Sequence, residues 1–243
     1  RKLGTRLDDL ESALGSEAAF DPKTLSKSFN IGCNDYGEFT LVQPLGRRFA
    51  AMAPRVNLYC VEATGQVFER LRSGTLDVGI GVFSNIPPDI NHRVLLRDEF
   101  VCAVRTGHPV LKRKWNLERY LELSHVLVSP GGTPEGVVDR ILNAQGLSRR
   151  VARTVSNFLA APLLVSESDY VLTVSKRILD SLGDRVKLAT RAPPLTLEGY
   201  SVSVVWHRRF DRHQAIRWLI DSLTEVSSRS KGQPKARRSR SPR

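Results

Sequence analysis

Four short segments carry side chains suited to holding a polar or anionic ligand: Asp35-Tyr36, Thr64-Gly65-Gln66, Ser129-Pro130-Gly131-Gly132-Thr133 and Asn157-Phe158. Each stands between an apolar run that reads as strand and a run that reads as helix. The first turn of a helix leaves backbone N–H groups without intrahelical partners, and the helix dipole adds partial positive charge there. Short hydroxyl and amide side chains beside such groups make carboxylate-binding chemistry. Simple capping accounts for any one segment alone, but recurrence at equivalent turns argues for a shared site. With Phe83, which follows a third strand, the candidate ligand-contacting residues are Asp35, Tyr36, Thr64, Phe83, Ser129, Gly131, Thr133, Asn157 and Phe158.

Catalytic chemistry finds no support. Gly-x-Ser-x-Gly, the P-loop Gly-Lys-Ser/Thr and His-Glu-x-x-His are all absent. Gly79-Ile80-Gly81 resembles the opening of a dinucleotide loop, yet no helix-opening third glycine follows. Two glycines there are better read as letting a strand approach its neighbours. The five histidines, His92, His108, His125, His207 and His213, are scattered and suggest no metal site. No cofactor is expected.

These segments need a scaffold, and the hydrophobic pattern describes one. Phe29, Ile31 and Cys33 alternate as a strand; Asp35 with Glu38 has capping-box spacing; a helix then buries Phe39, Val42, Leu45, Phe49 and Met52. Pro44 lies inside that helix and is expected to kink or split it. Val56, Leu58 and Cys60 form a second strand. A short helix with Phe68 and Leu71, capped by Thr64, is closed by Gly74, and Val78 to Val82 is a third strand. Such βαβ units build parallel sheets.

The pattern then repeats. Strands are expected at Val101–Val104, His125–Val128, Val151–Val155 and Tyr170–Val174, with a last strand at Ser201–Trp206. Helices are expected to start at Thr133-Pro134-Glu135, near Phe158, at Ser175 and at Asp211. The prediction is an α/β protein of two Rossmann-like lobes joined by two crossover strands. Ligands in such folds bind beyond the carboxyl ends of the strands.

The flanks differ from this body. Leu3, Leu7, Leu10 and Leu14, spaced 4, 3 and 4 apart, form a coiled-coil seam and are the candidate dimerisation residues. A single amphipathic helix packed on its own domain is the competing reading. The net charge is +12, and seven of the Lys and Arg residues fall within 229–243, where there is no acid. That tail lacks the apolar residues to fold. It is a disordered solubilising end, or an arm adding phosphate contacts on DNA. The expected division is therefore 1–19 as the end of a linker helix, 20–228 as the ligand-binding body and 229–243 as tail. Within the body, lobe I covers about 28–99 and 202–228, and lobe II about 100–201. Cys33, Cys60 and Cys102 show no Cys-x-x-Cys and read as reduced core thiols. No apolar run approaches the ~18 residues of a membrane span. The start has no signal peptide and no initiator Met, so the chain is read as a piece of a longer cytoplasmic protein.

Several stretches resemble a known family. Phe29 to Glu38 is similar to the first strand and turn of LysR-type sensor domains, and Gly74-Thr-Leu-Asp77-Val-Gly-Ile-Gly81 matches a frequent signature there. Phe100 to Pro109 resembles the crossover strand. His125 to Gly131, Val155 to Phe158, and Val205 to Arg208 followed by Trp218-Leu219 resemble the branch of nodulation regulators and aromatic sensors. The resemblance runs from about Phe20 to Val226.

It implies a type-II periplasmic-binding-protein fold that binds a small, possibly aromatic co-inducer between the lobes. It also implies a homo-oligomer, dimer or tetramer, and DNA binding through an N-terminal winged helix-turn-helix outside this chain. The leucine seam fits the end of the family's linker helix. Aromatic-acid sensors of the family carry histidines near Glu135 and Asn157, where this chain has an acid and an amide. A carboxylate at Glu135 would repel an anionic effector, which points to a neutral or differently substituted one. A stand-alone solute-binding protein of a transporter is the alternative, and an enzyme on the same scaffold a weaker one.

Overall fold

In a computed structural model the described residues are 20–63 and 65–229. The leucine seam, Thr64 and the tail from 230 onward lie outside them. Ten strands form two five-stranded sheets. The first sheet contains β1 (Lys27–Gly32), β2 (Val56–Val61), β3 (Val78–Gly81), β4 (Ile90–Asp98) and β10 (Tyr200–His207), ordered β2-β1-β3-β10-β4. The second contains β5 (Phe100–Arg105), β6 (Ser124–Val128), β7 (Arg150–Val155), β8 (Val171–Ser175) and β9 (Leu188–Arg191), ordered β7-β6-β8-β5-β9. In each sheet a single reversed strand, β10 or β5, pairs antiparallel with both its neighbours, the last of three parallel strands on one side and the edge strand β4 or β9 on the other. The chain crosses between sheets from β4 to β5, through Glu99 alone, and returns from β9 to β10. These are the two expected crossovers. We call each sheet with its helices a lobe.

In lobe I one helical run, α1, comprises Asp35–Gly37, a π turn at Glu38–Val42 and Gln43–Met52. The break expected from Pro44 is present as this π turn, with the proline in the first turn of the segment that follows. A proline offers no N–H, so a widened turn just before it costs few hydrogen bonds. α2 (Val67–Ser73) ends on Gly74, whose φ of 74° is the left-handed conformation that glycine adopts without a Cβ clash. α7 (Gln214–Arg229) closes the lobe. Its Trp218 stacks on Phe49 of α1 at 4.3 Å between ring centroids. Phe29 and Ile31 of β1 and Ile216, Leu219 and Leu223 of α7 are all fully buried in the same core. Each such side chain contributes roughly 1.5–3 kcal/mol on burial.

Lobe II carries α3 (Leu117–Leu121), α4 (Val137–Asn143), α5 (Ala160–Ser166) and α6 (Lys176–Leu182). Its own core gathers Val104, Tyr120, Leu142 and Val171.

Several helix starts differ from expectation, α1 one residue early and the others late. The cap of α1 is Asn34, whose Oδ1 accepts the Gly37 N–H at 3.1 Å, so Asp35 stands one position inside the helix. α4 begins at Val137 behind Gly136, not at Thr133-Pro134. α5 begins at Ala160 and α7 at Gln214. Asp211 instead accepts hydrogen bonds from Asn91 and from the Trp206 indole. At Asp211 tertiary contact outweighs the local capping signal, while at α1 and α4 a different local cap, Asn34 or Asp139, takes the position. Ser175 caps α6 as expected.

The two glycines of Gly79-Ile80-Gly81 have the structural role that their setting suggested. A Cβ on Gly79 would stand 2.5 Å from Val67 Cγ1 and 2.9 Å from Val205 Cγ2. Cys33 and Cys102 are buried thiols and Cys60 is half-buried.

Candidate functional site

A cavity of about 390 Å³ opens between the lobes, within the size range of small-molecule sites. Residues from the carboxyl ends of β3 and β6, from the start of α1 and from the interlobe crossovers line it, as the sheet topology dictates. Most of its wall is apolar: Ile80, Val82, Leu127, Val137, Val138 and Val202 among others. Two aromatic pairs face it. Tyr36 and Phe158 meet edge-on at 6.0 Å, one from each lobe, and Phe100 and Tyr200 meet at 5.1 Å.

Its polar groups form two buried clusters. The first is centred on Asp98, the last residue of β4. Its Oδ2 accepts the Tyr36 hydroxyl at 2.6 Å and the Ser175 hydroxyl, and its Oδ1 accepts the Glu99 N–H at 2.8 Å and the Arg177 N–H at 3.3 Å. Tyr36 belongs to lobe I and Ser175 to lobe II, so one carboxyl at the crossover ties both. Burial, then the hydrogen bond to Asp98, pushes the Tyr36 phenol above its usual range. Burial and the Asp98 charge push the Tyr200 phenol up to about 12. Both phenols are neutral donors at physiological pH.

The second cluster is centred on Arg149, whose side chain is 2% exposed. Its Nε and Nη2 donate to the two oxygens of Asp139 at 2.7 and 3.0 Å, and its Nη1 donates to the Tyr120 hydroxyl at 3.1 Å. Burial alone would raise the Asp139 carboxyl, but the Arg149 fork and the Gly136 N–H outweigh it and hold the carboxyl below the usual range. The pair is therefore ionised on both sides. His125, fully buried behind it, donates through Nε2 to the Tyr120 carbonyl at 2.8 Å, while its Nδ1 finds no partner among the described residues. Burial, then the Arg149 charge, drops its pKa to about 4.

Of the residues expected at the site, Tyr36 and Phe158 line the cavity. Asp35 does not line it but reaches across, accepting the Leu159 N–H of lobe II at 2.8 Å. Ser129 and Thr133 pair their hydroxyls at 3.2 Å away from the lining. Gly131, Thr133 and Asn157 are exposed, and Phe83 packs against Phe68 beside Gly81. Glu135 is exposed and outside the lining, so the acid expected to face an effector does not; Glu198 does. Sequence reasoning missed Asp98, Phe100, Arg149, Thr173 and Tyr200. The crossover position of Asp98-Glu99-Phe100 was the available signal, since a cleft between lobes must pass its hinge.

Three of the helix starts bordering the cleft are satisfied by the chain itself: Asn34 holds Gly37 N–H, Asp35 holds Leu159 N–H and Asp139 holds Gly136 N–H at 2.8 Å. Among the described residues no group of three or more His, Cys, Asp or Glu is placed to hold a metal, and no helix is long and apolar enough to cross a membrane.

Two α/β lobes joined by two crossovers, with an apolar cavity at the junction, define a bilobed ligand-binding domain of the type-II periplasmic-binding-protein fold. Residues 22–228 match the LysR substrate binding domain, and the chain belongs to that family as the effector-binding domain of a LysR-type transcription regulator. It is 29% identical over 223 residues to the HTH-type transcriptional activator NagR of a Ralstonia species, covering 91% of this chain and 74% of that protein. The crystal structure of the "probable transcriptional regulator PA0477" from Pseudomonas aeruginosa superposes with a TM-score of 0.81 at 30% identity, over 92% of this chain and 74% of that one. The regulatory domain of MexT, a transcriptional activator in Pseudomonas aeruginosa, gives 0.73 at 27% identity, over 84% and 99% of the two chains. Family membership favours the regulator over a transporter's solute-binding protein.

Proposed function

We propose that the domain senses a small aromatic molecule in the interlobe cavity and has no catalytic step. One observation supports this most directly: four aromatic rings from both lobes and both crossovers, Tyr36, Phe100, Phe158 and Tyr200, face a single mostly apolar cavity. A planar ligand between such rings gains edge and stacking contacts beyond its buried area. Because the wall comes from both lobes, the ligand favours the arrangement that brings them together. It shifts the regulator only by its differential affinity for that arrangement. The protein acts in the cytoplasm as a homo-oligomer, and DNA is bound by a winged helix-turn-helix preceding this domain.

A thermal-shift screen of one- and two-ring aromatics tests this. A ligand at 100 times its dissociation constant stabilises by about 2.7 kcal/mol. The same compound should lose most of that effect in Phe158→Ala, which removes one ring from the cleft. Flat curves for the whole panel, or hits indifferent to Phe158→Ala, would sink the reading.

A further inference from the structure

The cleft holds arginines yet has no surplus positive charge. Arg140 and Arg149 line it; Glu198 lines it too, and Asp139 and Asp98 bond directly to its lining residues. The two cationic side chains of the lining are thus set against one acid in the lining and two bonded directly behind it. The Arg149 charge is matched by a two-point bond to Asp139, and the helix starts around the cleft are capped by the chain's own side chains.

What Arg149 does offer is directed donors. A guanidinium has five N–H groups. Three are taken, two by Asp139 and one by the Tyr120 hydroxyl. Among the described residues nothing takes the remaining two, on a side chain that is buried and lines the cavity. Asp139 and Tyr120 fix the fork in place, so a ligand oxygen meets donors already oriented, at little further cost in side-chain entropy.

On these grounds, and resting on the reading of this cleft as the effector site, we infer that the effector is an uncharged aromatic compound. A carbonyl or hydroxyl oxygen of it accepts the two free N–H groups of Arg149. A carboxylate in the same place would stand beside the ionised Asp139 and be repelled in a poorly screened setting. The Arg149–Asp139 pair is thus the specificity-determining element: it supplies hydrogen bonds while cancelling the charge that would select an anion.

Two probes of equal size test this on the full chain: 2-acetylnaphthalene, a neutral ketone, and 2-naphthoate, its anionic counterpart. Affinities come from NMR titrations at pH 7.5 that follow the Gly136 and Thr173 amides. The ketone should bind at least tenfold more tightly. Asp139→Asn should move the affinity ratio at least tenfold toward naphthoate, because Arg149 then carries an unmatched charge. If that variant does not fold, the exposed Glu198→Gln carries the test and should move the ratio several-fold in the same direction. Naphthoate binding as tightly as the ketone, or a ratio indifferent to both substitutions, overturns the inference and leaves the aromatic cleft standing. Failure of both probes to bind removes the aromatic cleft and this inference with it.

Discussion

Asp35 and Leu159 are joined across the cleft, the carboxyl of a lobe I residue accepting the backbone N–H at the start of a lobe II helix at 2.8 Å. The next residue, Tyr36, donates its hydroxyl to Asp98 at the crossover. Two consecutive side chains thus hold the relative position of the lobes. A helix start deprived of its side-chain acceptor loses about 0.5–2 kcal/mol. Asp35→Ala should lower stability by that amount and enlarge the radius of gyration by small-angle scattering, while Asp35→Asn, which keeps an acceptor, should do neither fully. An unchanged radius with unchanged stability would show that this bond does not hold the cleft.

Tyr36 and Ser175 donate to the same oxygen of Asp98. Removing either leaves a buried acceptor short of a donor, at a cost of about 1–3 kcal/mol. Because they share the acceptor, their effects should not add. Urea unfolding of Tyr36→Phe, Ser175→Ala and the double variant should give an interaction energy between ~0.5 and 3 kcal/mol. Strict additivity would mean that the two hydroxyls are energetically independent.

The Arg149–Asp139 pair is buried, so losing one partner should cost more than losing both. Arg149→Met strands the Asp139 charge and should destabilise by about 3–5 kcal/mol. Arg149→Met combined with Asp139→Leu should recover a large part of this. A double variant no more stable than the single would contradict the claim that the stranded charge dominates.

His125 makes stability depend on pH. Its folded pKa is about 4 against the ordinary histidine value of 6.5, so between those values the unfolded chain binds the extra proton. Stability is therefore full above about pH 6.5 and falls as pH drops toward 4, by about 3 kcal/mol over the window. The carboxyl of Asp139, held low, acts in the same direction at still lower pH. Equilibrium unfolding at pH 7.5 and pH 5 should show the loss, and His125→Phe should flatten most of it. An equal slope in that variant would assign the dependence to other groups.

Much of the framework was legible because its signals are local. The alternation of Phe29, Ile31 and Cys33, the left-handed Gly74 and the Ser175 cap each depend on residues within a few positions. The helix start at Asp211 misled for the converse reason: local chemistry there is good, but Asp211 finds Asn91 and Trp206 in the folded chain. At Thr133 two local signals competed, and the start follows Asp139 reaching back to Gly136.

Eight of the ten strands, the two-lobed class and the lack of known catalytic motifs were legible in the sequence, whereas β4, β9 and α3 were not expected. Tertiary structure alone decided which groups meet at the cleft. Tyr36 and Asp98 are 62 residues apart, Ser175 and Asp98 77, and Asp35 and Leu159 124. Hydrophobic periodicity records which face of an element is buried, but not which distant element will cover it. The polar knot at Asp98, the oriented fork of Arg149 and the pairing of Phe100 with Tyr200 exist only once two crossovers have brought the sheets' carboxyl ends face to face.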